Sequence, residues 1–283
     1  MEFDKNKVLG LGFSAQVFLG TFNGKDVAIK RIEKSVGLNL DKAAQELEEK
    51  TMKNLDHPNV LKLLHVQDDN DFKYLILELC VGTIANYVNG TYKGEMPSEI
   101  EGMIQMASGL QYIHSKHFVH RDIKPANVLI SSTFVLKISD FGLSRTVTTT
   151  SGSFDMASGP KGTRVYYSPE FIFTEGKTKE EKEQIRVNVS IDVFSLGCLF
   201  FNYLTKGGHP FANGGRPNEV LTPASIQKGE KVLDGEMGLP KNHYAYAMIE
   251  GMTEKILEDR WKLEKVLETL NAKAKSAQTE EIQ

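Results

Sequence analysis

The 283-residue chain changes character at Gly82. Before it, short apolar and β-branched runs alternate with turn residues, so Val8 to Leu11, Gln16 to Thr21, Val27 to Ile32, Leu61 to Val66 and Tyr74 to Leu79 read as strands. The second and third flank Asn23-Gly24, a strong signal for a two-residue hairpin. One polar helix, from about Asp41 to Leu55, interrupts the strands. Beyond Gly82, Ser98 followed by Glu101 predicts a capping box, and Ile100, Met103, Ile104, Ala107, Leu110 and Ile113 recur at helical spacing. Most of the remainder reads as helix, apart from Val128 to Ile130, Val135 to Ile138 and a polar loop at 144 to 163. Strands followed by helices predict an α+β fold of two unequal lobes. A small five-stranded N-lobe with one helix is expected over residues 1–79, and a larger, mainly helical C-lobe over 80–270. Thr174 to Ser190 reads as a charged insertion, and 271–283 as a polar tail not expected to pack.

Composition removes several function classes. The net charge of -3, without a basic stripe, leaves no nucleic-acid partner expected. Cys80 and Cys198 lie far apart in apolar runs and read as packed thiols of a reducing compartment. The N-terminus MEFDKNK has no apolar signal region, and Glu2 stands where myristoylation requires glycine. Ile191 to Leu204 contains Asp192, Ser195 and Asn202 and falls short of the ~20 residues that span a bilayer, so a buried helix is expected there. No membrane segment is therefore expected, and the expected location is the cytoplasm or the cytosolic side of a larger protein.

Five short motifs follow one another. Gly10-Leu-Gly12-Phe-Ser-Ala15-Gln-Val17 lies between the first two strands, with Ala15 where a G-x-G-x-x-G loop has its third glycine. Val27-Ala28-Ile29-Lys30 sets a lysine in an apolar strand, which is costly unless the ammonium meets anions. His120-Arg121-Asp122-Ile123-Lys124-Pro125-Ala126-Asn127 matches H-R-D-x-x-x-x-N. Asp140-Phe141-Gly142 follows a short apolar strand, and Ser168-Pro169-Glu170 closes the polar loop.

In this order the motifs resemble a eukaryotic protein kinase domain over residues 5 to 270. The resemblance implies a two-lobed kinase fold with ATP in the cleft between the lobes. It implies that Asp122 orients the acceptor hydroxyl and takes its proton, and that Asn127 and Asp140 hold Mg2+. Lys30, Glu48, Lys124 and Asn127 complete the catalytic set. The nucleotide is expected against Leu9, Gly10, Gly12, Val17, Ala28, Leu77, Glu78 and Cys80, with Lys30, Lys124, Asn127 and Asp140 nearby. Leu77 would be the gatekeeper and Glu78 to Cys80 the hinge. The 41–55 helix offers Glu46, Glu48 and Glu49 to Lys30; Glu48 is chosen because Met52, Leu55 and His57-Pro58 stand at the family's spacings after it. Asp192 resembles the family's anchor of the catalytic loop, and Arg260 the partner of Glu170. Lys124 and Thr163 match the serine/threonine-specific pattern, so protein substrates with Ser or Thr acceptors are expected, with a homodimer for trans-autophosphorylation.

DVAIKRI, HPNV, FKYLILELC, IDVFSLGC and GGHPF are similar to the kinase domain of the inositol-requiring unfolded-protein sensors. Members of that family carry a transmembrane segment before the kinase and a ribonuclease module after it. An isolated kinase domain or a free-standing relative is therefore expected. Ser153 and Ser158 are the expected activating phosphosites, with Arg121 as the cation that phosphate would neutralise. A nucleotide-gated scaffold is the alternative function. Intact Lys30, Asp122, Asn127 and Asp140 weigh against it.

Overall fold

The computed structural model describes residues 1–11, 15–34, 39–147, 163–178, 181–182 and 188–282, with backbone alone at 39–44 and 280–282. Strands β1 (Glu2–Leu11), β2 (Ala15–Phe22), β3 (Lys25–Glu33), β4 (Leu63–Asp68) and β5 (Phe72–Glu78) form one antiparallel sheet in the order β1-β2-β3-β5-β4. The β2-β3 hairpin turns at Asn23 and Gly24, both at positive φ (52° and 73°). That conformation matches the twist of the flanking strands and explains the dipeptide.

Alternation along β3 gives the sheet two distinct apolar faces. Val27 and Ile29 join Tyr74 and Ile76 in a small outer cluster edged by Phe3, Phe22 and Phe72. Ala28 and Ile32, with Leu75 and Leu77 of β5, join the main core. Lys30 shares their inner face. β1 begins at Glu2, six residues before the expected start, and its register with β2 is irregular. Phe3 secures this extension by packing on Phe18 at 5.1 Å between ring centroids. One aromatic among charged residues produces no period-two pattern, so the extension is silent in the sequence.

Helix α1 (Asn39–Lys53) connects β3 to the loop before β4. That loop is docked on the larger lobe: Leu61 N donates to Ile138 O (2.8 Å), and Ile138 N to Asn59 O (2.9 Å). Gly109 makes the close approach possible, since a Cβ there would meet Asn59 O at 2.5 Å.

After β5 the chain leaves the five-stranded sheet. β6 (Cys80–Thr83) pairs with β8 (Val128–Ser131), which pairs with β9 (Leu136–Ile138); β7 (Phe118–Val119) pairs with β10 (Arg145–Thr146). Helices α2 (Ile84–Val88), α3 (Glu99–Ser115), α4 (Pro169–Ile172), α5 (Ser190–Leu204), α6 (Leu221–Lys228), α7 (Tyr246–Met252) and α8 (Leu263–Ile282) make up the rest among the described residues. The α+β kinase architecture expected from the sequence is present.

Helix α5 is the expected buried helix, with every residue from Ile191 to Tyr203 buried. It packs against α3 and α7, while α3 also packs on α8. One continuous core therefore runs from Ala28 and Leu77 through Met103 and Leu110 to Leu199 and Met252. Among the described residues no helix is long and apolar enough to cross a membrane.

One local expectation is corrected. Ser98 Oγ accepts from Glu101 N (3.3 Å), but the Glu101 carboxylate accepts from Gln105 Nε2 (2.9 Å), so the box is half made. The complete capping box lies at Thr83 and Asn86, heading α2. The polar segment from 271 continues α8 to Ile282, with the side chains of 271–279 exposed or half-buried. Its Ala, Lys, Gln and Glu residues are strong helix formers that extend a helix anchored by buried Leu263, Val266 and Leu270.

Candidate active site

Helix packing separates the three glutamates of α1. Glu48 is buried beside Met52, Glu46 is exposed, and Glu49 turns to Lys53 (2.5 Å) and Lys73. Lys30 Nζ reaches Glu48 Oε1 at 2.5 Å and Asp140 Oδ1 at 3.4 Å. Burial alone would pull the Lys30 ammonium's pKa down, but the two carboxylates outweigh it and hold the pKa above its ordinary value. Lys30 in turn holds the Asp140 carboxyl below the usual range. The Asp140 side chain remains 49% exposed, so its oxygens stay available to the cleft.

The H-R-D segment is shaped from beneath by α5. Asp192 accepts the amides of His120 and Arg121, each at 2.8 Å, and His114 Nε2 approaches it at 2.9 Å. Burial works to raise the Asp192 pKa, but these hydrogen bonds and the neighbouring imidazoles bring it below the usual carboxylate value. His120 Nε2 donates to Ser139 O (2.9 Å), which leaves Nδ1 to accept from Asp122 N (3.3 Å). Arg121 and Asp140 both have positive φ, 72° and 64°, a conformation that disfavours side chains. The hydrogen bonds around them hold these backbone turns in place.

Asp122 is buried, and donors converge on it. Lys124 Nζ (2.7 Å) and Asn127 Nδ2 (2.8 Å) both reach Oδ2, while Thr163 N reaches Oδ1 at 3.4 Å. Lys124 also donates to Thr163 Oγ1 (3.0 Å). Oδ2 is thus occupied, and Oδ1 is the more lightly engaged oxygen. Ser139 ties the next segment to this loop, donating to Asn127 O from its amide (2.8 Å) and hydroxyl (2.9 Å). Asn127 and Asp140 are thereby held in adjoining strand ends. With Asn127 Nδ2 engaged on Asp122, its Oδ1 and the Asp140 carboxylate are the oxygen donors left. Hard oxygen donors of this kind, with phosphate oxygens and water, suit Mg2+.

The inner sheet face roofs the cleft. Gly10 pairs with Val17, Val17 with Lys30, and Ala28 with Leu77. Val17, Ala28, Leu77 and Cys80 belong to or pack on the main core, whereas Leu9 is half exposed at an irregularity in β1. The Glu78 carboxylate accepts from Lys62 N (2.7 Å) and pairs with Lys137 (3.0 Å), so its side chain is engaged by protein partners. Burial pushes the Cys80 thiol up to about 12. Gly12, Ser153 and Ser158 lie outside the described residues. Arg121 is buried, with its guanidinium 5.3 Å from the Phe171 ring centroid.

Below the site, Arg260 grips Glu170 with two hydrogen bonds (2.6 and 2.9 Å) and donates to the carbonyls of Ser190 (3.2 Å) and Glu254 (3.0 Å). Thr163, read from the sequence only as a mark of acceptor type, emerges as part of the constellation. Ser139 and His114 carried no signal, because a serine before D-F-G and a histidine in a helix are individually common.

The family model described as protein kinase domain matches residues 3–270. The serine/threonine-protein kinase/endoribonuclease ire-1 of Caenorhabditis elegans is 31% identical over 247 residues, 83% of this chain and 23% of that protein. The serine/threonine-protein kinase/endoribonuclease IRE2 of Homo sapiens is 33% identical, over 79% of this chain and 24% of its own length. Serine/threonine-protein kinase ATG1a of Arabidopsis thaliana is 34% identical, over 72% and 31%. The chain spans about a quarter of the length of the first two of these curated relatives.

Proposed function

The chain belongs to the protein kinase domain family, and we propose that it transfers the γ-phosphoryl group of ATP to serine and threonine hydroxyls of proteins. The observation that carries this reading is the bridge of Lys124 between Asp122 and Thr163, which fixes one ammonium beside the Asp122 carboxylate. ATP with Mg2+ would supply the electrophilic phosphorus and neutralise the charge that develops on the phosphate oxygens.

The chain's own groups do the positioning. Lys30, fixed by Glu48, directs its ammonium toward the phosphates, and Asp140 with Asn127 offers oxygens to the metal. Asp122 Oδ1 accepts the acceptor's proton as the new O–P bond forms and the bond to the β-phosphate oxygen breaks. Lys124, held between Asp122 and Thr163, places positive charge beside the entering oxygen. Such positioning and electrostatic stabilisation supply most of the catalysis in phosphoryl transfer.

Phosphorylation at Ser153 and Ser158 switches the enzyme on in this reading, delivered in trans by a second copy on the cytosolic side. Support comes from the similarity to the inositol-requiring sensors and from the hydroxyl-rich 144–163 segment. Incubating the protein with ATP and Mg2+, mapping new phosphosites by mass spectrometry and repeating with Asp140→Asn tests transfer. Phosphate incorporation by the wild type alone is expected; none in either preparation would leave a nucleotide-gated scaffold.

A further inference from the structure

The small lobe meets β9 and its sheet at two places. One is the loop before β4, where the backbone of 59–61 bonds to Ile138 and Asn59 Nδ2 donates to Leu136 O (3.1 Å). The other is the exit from the five-stranded sheet, where β5 ends at Glu78 and β6, starting at Cys80, pairs with β8. Lys137, in the middle of β9, bonds to both. Its Nζ donates to Pro58 O at 2.8 Å and pairs with Glu78 Oε1 at 3.0 Å. The same Glu78 oxygen accepts from Lys62 N (2.7 Å), and Glu78 N donates to Lys62 O (3.1 Å).

One ammonium therefore braces the docked loop and the sheet exit against each other. The side chains of Lys137 and Glu78 are only 12% and 26% exposed, so solvent screens the pair less than a surface ion pair. Lys62 does not compete for Glu78 through its own ammonium, which pairs with Asp56 instead (3.1 Å). The strand that carries Lys137 runs on to Asp140, whose side chain faces Lys30. Lys137 thus links the segment presenting Asp140 to residues 78–80, where the nucleotide's base is expected.

We propose that Lys137 is a positioning residue for the nucleotide: through Glu78 it fixes residues 78–80 against β9 and sets how tightly ATP is held, without touching it. The proposal rests on the kinase reading above for where ATP lies. Removing the ammonium deletes charge-assisted bonds but leaves the backbone bonds between 59–61 and Ile138, so the joint loosens without coming apart. ATP affinity in Lys137→Met should fall about three- to tenfold, with KM for ATP rising alike and kcat at saturating ATP changing less than about twofold.

The test titrates ATP with Mg2+ into wild type, Lys137→Met, Lys137→Arg, Glu78→Gln and the Lys137→Met, Glu78→Gln double variant, beside steady-state kinetics on a serine peptide. Lys137→Met should bind ATP more weakly, Lys137→Arg should recover part of the affinity, and the double variant should be little worse than Lys137→Met alone, because both changes break one contact. Lys137→Gln, which keeps a donor for Pro58 O, carries the same prediction should Lys137→Met not fold. Wild-type ATP affinity in the Met or Gln variant, additive losses in the double variant, or a fall in kcat with KM unchanged overturns the proposal. ATP affinity that depends on Lys137 without phosphorylation of any peptide would support the brace and remove the transfer reading. Absence of ATP binding by the wild type would overturn both.

Discussion

The carboxylate of Asp192, buried on α5, accepts the backbone amide of Arg121 at 2.8 Å, one residue before Asp122. This contact joins the central helix to the turn that aims the candidate base. In Asp192→Asn, an amide nitrogen faces one of the donors now served by a carboxylate oxygen. A loss of about 1 to 3 kcal/mol is expected in urea unfolding. The folded-state pKa of Asp192 is lowered, so its contribution is complete above the unfolded carboxylate's pKa of about 4 and is lost as pH falls through the lower value. Replacing it should flatten that part of the acid limb of the stability profile.

Asp122→Asn removes the proposed proton acceptor and keeps both partners of the Lys30–Glu48 pair. Turnover should fall by about 10² to 10⁴ with nucleotide affinity nearly unchanged. Single-turnover kinetics beside a nucleotide-binding titration checks both, and wild-type turnover would exclude the role assigned to Asp122.

Lys30→Ala and Glu48→Gln should differ in kind. The first deletes the cation that faces Asp140 and should nearly abolish transfer. The second keeps the ammonium but removes its 2.5 Å ionic partner, so part of the activity should survive. Equal residual rates in the two variants would show that Glu48 does more than position Lys30.

Asp140→Asn weakens the oxygen set offered to Mg2+. The Mg2+ concentration for half-maximal activity should rise, together with a lower maximal rate. An unchanged magnesium titration would separate Asp140 from the metal.

Arg260 has a fully buried side chain and five oxygens within reach from Glu170, Ser190 and Glu254. Arg260→Ala strands the Glu170 carboxylate and should cost about 3 to 5 kcal/mol in chemical denaturation. Arg260→Lys should recover only part of that, because an ammonium cannot reproduce the two-pronged geometry.

Local patterns in the sequence determined the β2-β3 hairpin, the buried α5 helix, the order of small sheet and helical lobe, and Lys30, Asp122, Asn127 and Asp140 as residues to watch. These features are written in turn chemistry, hydrophobic period and contiguous motifs, each decided within about ten residues. Residues alone offered Glu46, Glu48 and Glu49 to Lys30, and the family spacing pointed to Glu48. Helix packing set the pairing itself, because three carboxylates within four positions differ only in which faces the core. Tertiary contact likewise extended β1 through Phe3 on Phe18, turned Glu101 toward Gln105, brought Thr163 to Lys124 and carried Asp192 under a loop more than seventy residues away. Such relationships depend on which surfaces meet once the core closes, and one side chain in one sequence carries no periodicity that could announce its partner.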